Sequence, residues 1–199
     1  KARRVQGDSS LANQLADKAF AKNTERVGQD LFDHVMMVAD LQSRGLRDWS
    51  DREYRMMFKK LPDDNRAAII ARSALSEDLH DRMLEGDAAE VLEPLVDAIN
   101  RGDGKVRQAI ENANRSPESI KSRMLYFKAN AAKLKNDQKA YAELLDQAIK
   151  SDPTDADVLI ALFHLPNQDE EQRKQVKELI SKAVDQSRSI IEEIPEDPM

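Results

Sequence analysis

Apolar residues recur along this chain at intervals of three and four. Leu11, Leu15, Ala19 and Phe20 form one edge, and Val27, Leu31, Val35, Val38 and Leu41 form another. That spacing places side chains on one face of an α-helix. Arg44-Gly45-Leu46-Arg47-Asp48 interrupts the pattern. Ser50-Asp51-Arg52-Glu53 then reads as a capping box, a hydroxyl and a carboxylate three apart that satisfy orphan helix donors. Tyr54, Met57, Phe58 and Leu61 continue that helix, and Pro62-Asp63-Asp64-Asn65 closes it. Shorter helices are predicted near 65–75, 77–85, 88–100 and 104–115. Gly86 and Gly102-Asp103-Gly104 serve as C-caps and turns between them. Pro94 predicts a kink or split in the third.

Ser116-Pro117 reads as N-cap and first helical residue, because proline there gives up only a donor that is unpaired anyway. The pattern predicts a helix to about Lys135, a turn at Asn136-Asp137 and a second helix to about Ser151. Thr154-Asp155-Ala156-Asp157 opens a short helix through Phe163, which Pro166-Asn167 ends. A last helix runs from about Asp169 to Ile194. Its stripe is Val176, Leu179, Ile180, Ala183, Val184, Ser187, Ile190, Ile191 and Ile194. An apolar edge of that length must be covered, by the preceding hairpin, a further repeat or a second copy of the chain.

Composition agrees. Six glycines, seven prolines and 5% aromatics, with no alternating β-branched run, make the fold all-α. Short connections force neighbouring helices antiparallel, so the elements pair into about five hairpins in series. Hydrophobic residues are 40% and charged residues 34% of the 199, and the net charge is −6. An acidic chain repels phosphate backbones, so nucleic acid is not an expected partner. Lys1-Ala2-Arg3-Arg4 reads as a solvated basic tail. No cysteine is present, which excludes disulfides, thiolate metal sites and cysteine nucleophiles. No apolar run approaches the ~18–20 residues that span a bilayer, so no membrane insertion is expected. The chain starts at Lys1, without methionine or a signal-peptide core, and is expected to be a segment of a longer protein. Compartment is left open.

Enzyme chemistry finds little support. His34 has no second histidine at ligand spacing and reads as a core or edge histidine bonded to a neighbour. His80, in Glu77-Asp78-Leu79-His80-Asp81, reads as part of a solvated acidic helix start rather than a metal site. His164 lies at a helix end, where a cation suits the dipole. Carboxylate pairs such as Glu192-Glu193 fall in polar runs rather than pockets. The serines lack a nucleophile motif, and Gly102-Asp103-Gly104 lacks the strand of a phosphate loop. Met36-Met37 and Met56-Met57 read as core. Trp49 is expected to pack against the preceding hairpin. No catalytic residue, metal or cofactor is expected.

From Leu125 to Pro153 the spacing resembles a tetratricopeptide repeat (TPR). The family pattern is W-x2-L-G-x2-Y, then A-x3-F, then a closing proline. Here it reads Leu125-x2-Lys128-Ala129-x2-Ala132, then Tyr141-x3-Leu145, Ala148 and Asp152-Pro153. Lys128 stands where the family has leucine, and Tyr141 where it has alanine. Weaker echoes lie at Asp48-Trp49 through Asn65 and at 156–195. The resemblance implies a right-handed helical-hairpin solenoid of about ten or eleven helices. Irregular hairpins would occupy 1–115, and repeats with a long final helix 116–199.

It further implies a concave groove that binds a protein or peptide, without catalysis. Carried over, the groove positions are Arg123, Tyr126, Asn130 and Lys133. Their spacing puts them on one helix face whatever the family. Asn130 falls where clamping members have asparagine. Tyr126 replaces their lysine, and Asp157 and Ala161 occupy the next clamp positions, so a full carboxylate clamp is not expected. Two other readings compete: a structural segment that forms homo-oligomers through the 169–194 helix, and a helical accessory domain of a larger enzyme.

Overall fold

A computed structural model describes residues 9–25, 31–166 and 170–192. Among the described residues there are ten α-helices and no strand. They are α1 (Ser9–Thr24), α2 (Leu31–Ser43), α3 (Arg47–Lys60), α4 (Arg66–Asp81) and α5 (Glu85–Asn100). Then follow α6 (Gly104–Asn112), α7 (Pro117–Leu134), α8 (Gln138–Ser151), α9 (Ala156–Phe163) and α10 (Glu170–Glu192). The fold is all-α, as the periodicity predicts.

Many helices pack on those beside them in sequence: α2 on α3, α3 on α4, α4 on α5, α7 on α8, α8 on α9, and α9 on α10, while α1 rests on α3. The short α6 departs from this order. It lies against α4, α5 and α7, while α5 packs directly on α7. One apolar core therefore runs from Val38 to Val176, continuous across position 115. Its largest fully buried side chains include Phe127, Met57, Ile69, Leu75, Leu92, Leu95 and Leu145.

Local chemistry sets most boundaries. Ser116 accepts from the Ser119 amide in a capping box with Pro117 at the first turn, as the sequence predicts. Asp103, Asp137 and Asp155 cap α6, α8 and α9. Gly102 and Asn136 turn the chain with φ of +76° and +60°, and Gly and Asn tolerate that conformation best.

Two expectations fail locally, and at Pro94 one of the two expected outcomes does not occur. Ser50 does not begin a helix. α3 starts at Arg47, and the Ser50 hydroxyl donates to the Arg47 carbonyl inside it. Residues 65–85 do not form two helices, because α4 runs unbroken to Asp81. The Ser76 hydroxyl donates back to the Ser73 carbonyl inside it. The break falls at Arg82-Met83-Leu84, with Met83 at φ +61°, and Gly86 lies inside the first turn of α5. Pro94 does not split α5 either. Val91, Leu92, Leu95, Val96, Ala98 and Ile99 bury around it between α4 and α7, and that packing outweighs the lost donor.

Of the predicted α10 stripe, Val176 is buried, Leu179, Ile180 and Ala183 are half-buried, and Val184 is exposed. Val27 and Ile194 lie outside the described residues, as do the side chains of Phe20, Leu31, Val35, Met36, Ser187, Ile190 and Ile191. Met56 and Met57 are core, and Trp49 is half-buried. No described helix is long and apolar enough to cross a membrane.

Candidate functional site

The four carried-over positions stand on successive turns of α7, and their surroundings differ sharply. Arg123 is the most connected. Its Nε and Nη2 donate to the two carboxylate oxygens of Glu77 on α4, at 2.9 and 2.6 Å. Its Nη1 donates to Asp157 on α9 at 2.7 Å and lies 3.6 Å from Asp155. Asp155 also accepts from the buried Ser122 hydroxyl at 2.9 Å. The guanidinium sits 5.1 Å from the Tyr126 ring centre and 5.0 Å from that of Phe127. Burial alone would lower the Arg123 pKa. The Glu77 hydrogen bonds, the charges of Glu77 and Asp155 and the Asp157 hydrogen bond outweigh it and raise the pKa above the usual value. One planar donor fork thus joins α4, α7 and α9.

Tyr126 is half-buried. Its ring meets His80 edge-on, with centres 5.5 Å apart. Burial raises its pKa, the Asn130 hydrogen bond lowers it, and the Asp157 charge raises it further; the net shift is upward. Asn130 is thereby tied to Tyr126. Lys133 is exposed, and its ammonium lies 5.2 Å from the Tyr141 ring centre, turned toward α8. The structure therefore brings Arg123, Tyr126 and Asn130 together and sets Lys133 at the edge. Lys128, the departure from the TPR pattern, reaches Glu93 on α5 at 2.7 Å.

Sequence reasoning missed the flanking residues. His80 does not lie at a solvated helix start. It closes α4, and its Nδ1 lies 2.9 Å from the buried Glu85 carboxylate, while its ring packs on Tyr126 and Phe127. Ile160 and Phe163 on α9 are exposed large apolar side chains. Ile160 sits three residues beyond Asp157, on the neighbouring turn of the same helix face. Only the Asp157–Ile160 spacing hinted at this.

Away from this face, His34 is fully buried and pairs with the fully buried Glu53. That fits the reading of a core histidine and gives Glu53 a role other than capping. His164 is the exposed C-cap of α9, against Phe163. Among the described residues no group of three or more His, Asp and Glu is placed to hold a metal. No protein-family model, curated protein sequence or solved structure matches this chain.

Proposed function

We propose that this chain is a TPR-like adaptor, a right-handed hairpin solenoid that binds a peptide or partner helix along the face of α7 and catalyses nothing. The observation that carries this reading is the Arg123 junction. It bridges α4, α7 and α9 through one side chain, a linkage that a row of first helices lining a TPR groove would accommodate. Exposed Ile160 and half-buried Tyr126 border that junction. Apolar and aromatic side chains left open beside a polar junction suit recognition better than chemistry.

The test compares the immobilised chain with its Tyr126→Ala/Asn130→Ala variant in affinity capture, with circular dichroism as the folding control. A partner retained by the first and lost from an equally helical second supports the groove. Identical retention by both refutes it.

A second reading rests on α10. Its 23 residues span ~35 Å at 1.5 Å per residue, and among the described elements it packs chiefly on the eight-residue α9. A second copy of the chain would cover the remaining stripe around Val184, which is 50% exposed. Light scattering that shows a concentration-dependent mass, abolished by Val184→Asp, favours this reading. A constant monomer mass removes it.

A further inference from the structure

Below the Arg123 junction, between α4, α7 and the α8–α9 connection, lies a cavity of about 200 Å³. Ser73, Glu77, Arg123, Asp152 and Asp155 supply its polar wall, and Leu92 and Ile120 its apolar one. Arg115 stands exposed at its rim. Three carboxylates thus face two guanidiniums, and exposed Asp157 adds a fourth negative charge nearby. One feature inside it points to a ligand. Ser73 is only 8% exposed, and its hydroxyl has no hydrogen-bond partner. A buried hydroxyl without a partner costs stability unless something fills the site.

We propose that this cavity receives the cationic side chain, Lys or Arg, of a peptide lying along the α7 face. The inference rests on the groove reading above and names the chemistry of its ligand. The excess of carboxylates favours a cation over an anion. Leu92 and Ile120 offer the methylene stem an apolar wall, while the charged head stays among polar groups. Ser73 accepts a hydrogen bond from that head, and the Asp152 and Asp155 carboxylates flank it. An acidic peptide or a C-terminal carboxylate would meet the same carboxylates and be repelled.

The experiment selects a random dodecapeptide display library on the immobilised chain. Enriched peptides are expected to carry a Lys or Arg at fixed spacing from an apolar residue. In fluorescence polarisation, replacing that residue with norleucine weakens binding roughly tenfold, the scale of a hydrogen bond to a charged group. Ser73→Ala weakens the parent peptide by a similar factor and leaves the norleucine peptide unchanged. This variant keeps the fold, because the hydroxyl it removes bonds nothing within the chain.

Enriched peptides without a basic residue, or equal binding by Ser73→Ala, overturn the cation site and leave the groove standing. No enrichment beyond that on Tyr126→Ala/Asn130→Ala overturns both.

Discussion

Replacing Arg123 with methionine tests the junction on which the α7 face depends. Methionine keeps the apolar stem and removes the charge and five donors. Glu77 and Asp157 are 45% and 52% exposed, so water screens both pairs and their loss costs about 1 kcal/mol together. Asp155 is only 6% exposed, and stripping a nearby countercharge from it costs about 1 kcal/mol more. Loss of the cation over the Tyr126 and Phe127 rings contributes about 0.5–1 kcal/mol. The expected destabilisation is about 2–3 kcal/mol, or roughly 5–10 °C in Tm for a chain of this length. Urea unfolding followed by helical circular dichroism measures it. In a Glu77→Gln background the same substitution should cost about 0.5 kcal/mol less, because one of its partners is already neutral. A loss under about 0.5 kcal/mol in the single variant would refute the claim that this side chain holds three helices together.

Glu53→Ala should cost about 1–3 kcal/mol in urea unfolding, because it removes a fully buried hydrogen bond to His34; a cost under about 0.5 kcal/mol would contradict the pairing. Alkaline pH should destabilise the chain. Burial raises the pKa of Tyr54, Tyr126 and Tyr141, so the unfolded chain loses those protons first, and the stability present below about pH 10 falls as pH rises through the higher folded values. Phenolate absorbance should therefore appear at lower pH in urea than in the native chain, and coincident titrations would refute this. Pro94→Ala should raise Tm, since it restores an amide donor within α5 and removes a ring from the preceding turn; a fall would mean that the ring's packing matters more than the helix bond.

The sequence reading succeeds where the determinant lies within a few residues. Ser116-Pro117, Asn136-Asp137 and the close of α9 at Phe163 rest on caps and turns whose partners are neighbours, and each falls where predicted. It fails where a distant element decides. Ser50 and Glu53 have the right spacing for a cap, yet Glu53 belongs to His34, nineteen residues away. Pro94 is a helix breaker by local rules, and only packing by α4 and α7 keeps α5 whole. The same holds at the candidate site. Helical spacing places Arg123, Tyr126 and Asn130 on one face. It cannot reveal that Glu77, 46 positions earlier, and Asp157, 34 later, would converge on one guanidinium. Nor does a serine in an Ala-rich helix announce that its hydroxyl will be buried without a partner.

The placement of α6 has a mechanical consequence. Toward the C-terminal end the helices pack chiefly on their sequence neighbours, α10 on α9 and α9 on α8, so tension applied from that end would peel them off one at a time. α6 breaks that order by lying across α4, α5 and α7 at once. A pull on the C-terminal end would release α10, α9 and α8 in turn and then stall. Past that point α7 must part from α5 and α6 together. The chain is therefore built as a fixed block with an extensible arm, and the α7 face lies on the block's boundary, where a load could open it without unfolding the rest.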